Sequence, residues 1–317
     1  MTFAEKKAIF DQQNPVTESH IVTFKGVDGF DTYNCSIPFT WNGKRYIYGR
    51  IERRAEWARS WVRLFEETAQ DEFSLVKDTM IYQLEDPYVN QIGNEFVLGG
   101  THVQYSRGEI DNLCAYFYKG TELENLTYFT TGPSNMKDIR LVELENGIGV
   151  FSRPRSVDIE KEHGSGSIVG FTTINNIMEL DAGVIDKARK IDNMFGIGEW
   201  GGCNQCYLLD AGLIGIIAHK SYSQPAGDIE LAVYVNVAYV FDPKNHLIVD
   251  EKIIATRSSY PAGAPKYPYL ADCAFTAGIV NCKNGKADLY SGLGDTQVGR
   301  AVIDYPFAGF GSIISEI

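Results

Sequence analysis

The residues best suited to acid–base chemistry in this chain are Glu85 and Asp86, adjacent carboxylates followed by Pro87 and Tyr88. A carboxylic acid can protonate a leaving oxygen, and a neighbouring carboxylate tunes its pKa. Asp-Pro is also ordinary turn chemistry, so the pair gains meaning only from its surroundings. Cations suited to an anion lie further along: Arg153 and Arg155 flank Pro154, and His219 precedes Lys220. A guanidinium fork matches phosphate geometry. Cys203 and Cys206 have the C-x-x-C spacing of a metal or redox pair, but no second pair and no histidine-rich stretch accompanies them. They read as strand residues, and no metal is expected. The glycine-rich stretch 162–167 is not followed by a helical pattern, so it reads as a loop and not as a nucleotide cradle.

Five hairpins must position these groups. Each is two alternating strand patterns around a glycine turn: Asn42-Gly43, Gly93-Asn94, Asn146-Gly147, Ala211-Gly212 and Asn284-Gly285. An apolar run follows each hairpin, as in 61–65, 113–118, 168–174, 231–241 and 301–305. A loose repeat of roughly 50 residues, with up to four strands per unit, is the pattern of propeller blades. The expected fold is all-β, a five-bladed β-propeller with short helical additions, forming one domain over 1–317. The blades fall at about 26–80, 81–132, 133–195, 196–260 and 261–317, and a strand at 20–25 closes the ring. Residues 2–12 read as a short helix. The helical spacing of Ile185, Ala188, Ile191 and Met194 predicts a longer one over 178–194.

In a hairpin, the start of the first strand and the end of the second are neighbours. In a propeller those ends converge on the axis. The starts carry Asn34, Glu85, Asp86, Lys137, Asp138, Asn204 and Asp272; the exits carry Arg50, Arg153, Arg155, His219, Lys220 and Asp295. Such a cavity of acids, amides and cations suits a sugar, with Trp41, Trp57 or Tyr267 available to stack on a ring. Glycosidic cleavage needs an acid; hydrolysis with inversion also needs a carboxylate base, for which Asp138, Asp272 and Asp295 are candidates. Phosphorolysis needs cations instead, because phosphate is already an anionic nucleophile. Arg153, Arg155, His219 and Lys220 supply such a patch. A non-catalytic carbohydrate-binding propeller is the third reading.

The net charge of −12 argues against nucleic acid or an anionic membrane as partner. No stretch is apolar enough for a spanning helix or a signal peptide, so a cytoplasmic protein is expected.

The ordered set Glu85-Asp86-Pro87, Met136-Lys137-Asp138, Ser152-Arg153-Pro154-Arg155 and the 290–296 stretch Tyr-Ser-Gly-Leu-Gly-Asp-Thr resembles the β-propeller mannoside phosphorylases of glycoside hydrolase family 130. Residues 49–54 with 61–65, and 199–204, make the chain more closely similar to the related family that makes and degrades β-1,2-mannan. The resemblance spans about 15–310. It implies inverting phosphorolysis of β-1,2-linked mannosides to mannose 1-phosphate, or transfer from a sugar nucleotide such as GDP-mannose, with no other cofactor. It implies that Asp86 is the general acid, its proton passing through a sugar hydroxyl, and that Asp295 holds the reacting mannose. It implies phosphate at Arg153, Arg155 and His219, and sugar subsites at Asn34, Asp138 and Asp272. Arg50, Glu85 and Asn204 are further sugar-binding candidates from their hairpin positions. The family has one arginine before the proline of its third-blade motif; here two flank it.

Overall fold

In the computed structural model of the chain, residues 1–314 are described. The hairpin turns form where the sequence places them. Asn42 and Gly43 take φ of 49° and 76°, and Asn284 and Gly285 take 53° and 72°. That left-handed pair is what a two-residue hairpin turn with the natural strand twist requires.

The described residues are mostly β, in four curled sheets with few helices. Three sheets are four-stranded antiparallel meanders. The first comprises Glu85–Ile92, Glu95–Ser106, Glu109–Gly120 and Thr127–Thr131. The second comprises Arg140–Glu143, Ile148–Ser152, Gly170–Ile174 and Arg189–Lys190. The third comprises Glu199–Leu208, Ile214–Ala226, Ile229–Asp242 and Leu247–Ala255.

The nine-stranded sheet joins the two ends of the chain. Glu18–Lys25 pairs antiparallel with Gln297–Asp304, Glu18 opposite Val302, and parallel with Glu72–Leu75, Thr23 opposite Glu72. A strand is therefore present where 20–25 was expected, two residues longer than its sequence pattern. Its second, parallel partner has no sequence signal.

The second strand of the first hairpin, 44–52, meets 85–92, and from there the first strands of the hairpins touch in succession: 85–92 meets 140–143, which meets 199–208, which meets 274–283. Apolar clusters fill the spaces between sheets. Phe39 and Phe96 meet at 4.7 Å, and Phe171 bridges Phe151 and Phe241 at 4.8 and 5.0 Å. Helix α1 (Phe3–Gln13) opens on a capping box of Thr2 and Glu5.

The helix expected over 178–194 does not form. A 3-10 turn at Ile177–Glu179 and a short helix at Ala182–Asp186 replace it. The side chains of Asn176 and Asp181 accept the N–H groups of Met178 and Val184, so the helix is started twice and never extended. Arg189–Lys190 then pairs with Gly170–Phe171 as a sheet edge. Ile185, Ile191 and Met194 are buried, as their spacing suggested, but on three different local structures. Stretch 162–167 is partly a helix end: Val157–His163 is helical, with Gly164 as its left-handed cap, and the rest is loop.

Candidate active site

Four acidic or amide residues sit at strand ends in the left-handed backbone region: Asn34, Asp86, Asp138 and Asp295, with φ of 43°, 47°, 59° and 56°. Residues other than glycine rarely adopt it, and such positions concentrate at functional sites. The conformation turns each side chain off its sheet and into one cavity of about 450 Å³. Asn34, Arg50, Glu85, Asp86, Asp138, Arg153, Arg155, His219 and Asp295 all line it, with Lys137 among them.

One side of the cavity is acidic. Buried Arg50 lies over the Tyr33 ring at 4.5 Å. Its Nη1 donates to Asp86 Oδ1 (2.8 Å), its Nη2 to Glu85 Oε1 (2.9 Å) and its Nε to Ser60 Oγ (2.7 Å). Asn34 Nδ2 donates to Asp86 Oδ1 at 3.0 Å and to Asp295 Oδ1 at 3.5 Å. Lys137 Nζ lies 3.8 Å from Asp86 Oδ2.

Burial pushes all three carboxyls up, but the outcomes differ. At Asp86 the charges of Arg50 and Lys137 outweigh burial and hold the carboxyl below its ordinary range. At Glu85 burial wins over Arg50, and the group rises. At Asp295 burial again wins over Arg50, and the charge of Asp86 adds to the rise. Below them, fully buried Glu52 accepts from Tyr33 Oη, Lys266 Nζ and Ser60 Oγ.

The other side is cationic. Arg153 is buried, with Nη1 2.9 Å from Asp138 Oδ2. The two are close but not aligned: Arg153 Nη1 and both Asp138 oxygens lack a hydrogen-bond partner. Burial lowers the pKa of Arg153, and Asp138 only partly opposes that. Arg153 and Lys137 hold Asp138 far below the carboxylate range despite its burial. His219 Nδ1 lies 2.8 Å from Asn204 Oδ1, which fixes the proton on Nδ1 and the lone pair on Nε2. Burial first, then Arg153, push the imidazole down to about 3, so it is neutral. Arg155 is exposed at the mouth.

Two glycines make room for these groups. A Cβ on Gly292 would sit 1.8 Å from Asn34 Oδ1, and one on Gly202 would sit 2.8 Å from Arg153 Cδ.

Three residues placed at the site by sequence lie elsewhere. Asp272 does not line the cavity; it forms an ion pair with Lys7 of α1 at 2.8 Å. Asn204 lies at a bulge between Cys203 and Gln205 and acts on the cavity only through His219. Lys220 is engaged away from it, bridging Glu199 (3.1 Å) and Glu251 (3.2 Å) over the Phe3 ring, because alternation along the strand turns it opposite to His219. Of the candidate aromatics, Trp57 lines the cavity, Trp41 packs against Phe96 in the core, and Tyr267 stacks behind Tyr269 at 5.6 Å. Trp200, Tyr234, Tyr269 and Phe275 also line it and were not foreseen. The sheet strand starts at Glu199, five residues before the start read from sequence, so the alternation that exposes Trp200 was not visible. Among the described residues, no cluster of three or more His, Cys, Asp or Glu side chains could hold a metal ion, and no helix is long and apolar enough to cross a membrane.

Residues 8–309 match the family described as protein of unknown function DUF1861. Among solved structures, MPT-4, a mannose phosphorylase from Leishmania mexicana in complex with phosphate ion, is 50% identical; the match covers 99% of this chain and 96% of that one, with a TM-score of 0.93. MPT-1, a GDP-Man-dependent mannosyltransferase from the same organism, is 42% identical over 100% of this chain and 98% of its own, with a TM-score of 0.92. A hypothetical protein from Leishmania major is 49% identical over 98% of each chain, with a TM-score of 0.88. No curated protein sequence matches. By a match that spans nearly its whole length, the chain belongs to the DUF1861 family and groups with the Leishmania mannose phosphorylase and mannosyltransferase.

Proposed function

We propose that this protein is an inverting mannoside phosphorylase, acting on β-1,2-linked manno-oligosaccharides to give α-mannose 1-phosphate, and capable of the reverse reaction or of transfer from GDP-mannose. The observation that carries this is a buried arginine, Arg153, whose Nη1 has no aligned partner, facing a carboxylate group across one cavity. A buried cation left this way favours an anionic ligand. The relatives fit the same reading: one phosphorylase was solved with phosphate ion, and one transferase depends on GDP-Man.

In this reading Arg153, Arg155 and His219 receive phosphate, while Asn34, Arg50, Glu85, Asp138 and Asp295 hold the sugar. A phosphate oxygen bonds to the anomeric carbon as the bond to the leaving oxygen breaks on the opposite face. The proton for that oxygen comes from Asp86 through a sugar hydroxyl. Asp86 is ionised in the empty cavity because Arg50 and Lys137 hold it so. An arriving anion offsets those cations, so substrate binding raises the acid toward a useful pKa. Neutral His219 offers a lone pair to a protonated phosphate oxygen or a hydroxyl.

The same proposal takes the nine-stranded sheet as two blades sharing a seam, which makes five blades in one domain over 1–317. It takes phosphate as co-substrate with no other cofactor, and places the enzyme in the cytoplasm.

The test is incubation with β-1,2-mannobiose with and without phosphate. Mannose 1-phosphate formed only with phosphate supports the reading. Mannose released equally without phosphate overturns it in favour of a hydrolase.

A further inference from the structure

We infer that a groove beside the cavity binds the part of the manno-oligosaccharide that extends beyond the reacting bond; this rests on the mannoside reading above. Trp57 is the wall shared by both. It is 55% exposed, and it lines the main cavity and an adjoining groove of about 500 Å³. Glu56, Arg59, Tyr105, Glu109 and Ile110 are among the other residues that line the groove. An aromatic face for the C–H side of a pyranose, with carboxylates and a guanidinium for its hydroxyls, is the chemistry that holds a neutral sugar. Two carboxylates against one guanidinium disfavour the phosphates of a nucleotide.

The loop that presents Trp57 is built, not loose. Ala58 has φ of 56°, a conformation that an alanine side chain does nothing to favour. It is held from two sides. Tyr105 Oη donates to Ala58 O and lies 3.3 Å from Trp57 O, and the Arg59 N–H donates to Glu52 Oε1 at 2.6 Å. Arg59 also lies over the Tyr105 ring at 5.4 Å. Glu52 is the carboxylate that anchors Tyr33 and Lys266 beneath Arg50. One buried carboxylate thus sets both the support of the acid pair and the position of Trp57. The strained backbone fixes the aromatic relative to the reacting centre, as a chain crossing both would require.

The experiment measures kcat/KM with phosphate for β-1,2-manno-oligosaccharides of increasing length, beginning with the disaccharide. Parallel titrations follow tryptophan fluorescence with the same sugars and with GDP. The proteins are wild type, Trp57→Ala, Trp57→Phe and Glu109→Ala. Wild-type kcat/KM should rise with length. Trp57→Ala should flatten that rise by about threefold to tenfold, the usual worth of an aromatic contact, and Trp57→Phe should restore most of it. Glu109→Ala should weaken long chains more than short ones. Rates independent of length, or equal losses on all lengths, overturn the groove. So does a Trp57-dependent signal with GDP and none with longer sugars. If no mannoside is cleaved in a phosphate-dependent way, the phosphorylase reading fails. The fluorescence arm still decides the groove, because length-dependent binding does not need turnover.

Discussion

Replacing Lys137 with glutamine tests the electrostatic core of the site. Lys137 Nζ lies 3.8 Å from Asp86 Oδ2, and its side chain is 22% exposed. Two unit charges at about that distance attract by about 1 kcal/mol in bulk water and by about 4 kcal/mol at an effective dielectric near 20. Partial contact with solvent puts Lys137 in the lower half of that range. At about 1.4 kcal/mol per pKa unit, losing it should raise the Asp86 pKa by about one unit. The assay is kcat against pH at saturating phosphate and mannoside, followed as mannose 1-phosphate release. The alkaline limb of kcat reports the acid in the bound complex. Cations favour the ionised carboxyl, so removing one lets the acid keep its proton to higher pH. The limb should therefore move upward by about one unit, with any lost phosphate affinity confined to KM. A limb that stays in place refutes Asp86 as the acid; a limb that moves down refutes the charge argument itself.

Other changes probe the rest of the site. Asp86→Asn should cost more than about 10²-fold in kcat, and a near-normal rate would remove Asp86 from the mechanism. Gly292→Ala places a methyl group against Asn34 Oδ1; calorimetry should show a loss of about 1–3 kcal/mol, with a fall in kcat/KM as Asn34 is displaced from Asp86 and Asp295. Lys266→Met removes one partner of a buried ion pair with Glu52, and should cost about 3–5 kcal/mol in denaturant unfolding, partly recovered by adding Glu52→Gln; a loss near zero would contradict the buried pairing. His219 has a folded pKa of about 3 against 6.5 ordinarily, so the unfolded chain takes up that proton first. Stability should decline as pH falls below 6.5, and His219→Gln should lessen the slope of Tm against pH between 6.5 and 4; an unchanged slope would show that His219 is not the group involved.

Local chemistry made much of the architecture legible. Asn42-Gly43 and Asn284-Gly285 announced hairpins because few other pairs tolerate two left-handed residues in succession. With the turns at 93–94 and 146–147, they set which strand ends are neighbours, and Asn34, Asp86, Asp138, Arg153 and Asp295 gather at those ends. Long-range facts were illegible. Asp272 sits at a strand start like Asp138, and only the position of α1 decides that Lys7 reaches it first. Asn204 stands at about the same distance from its turn as Asn34 and Asp138, but it is at a bulge inside a longer strand. Lys220 and His219 are adjacent in sequence, and one residue of phase separates a cavity group from an ion pair near α1. The failed helix over 178–194 shows apolar spacing losing to two side-chain caps and a sheet edge. The network of Glu52, Lys266 and Tyr33 joins residues more than two hundred positions apart and leaves no local trace.

The strand Glu18–Lys25 also sets an order of events during synthesis. Its parallel partner, Glu72–Leu75, leaves the ribosome early, so that pairing is available to the nascent chain. Its antiparallel partner, Gln297–Asp304, is made after every other described strand. Until that segment emerges the first strand presents an unpaired backbone edge, the kind of template on which a second chain can add. A stalled or truncated product lacking residues 297–304 would keep that edge permanently. Such fragments should associate with one another, or exchange the terminal strand with a full-length copy, so the seam that completes the finished molecule is also the route by which an unfinished one is lost to assembly with its neighbours.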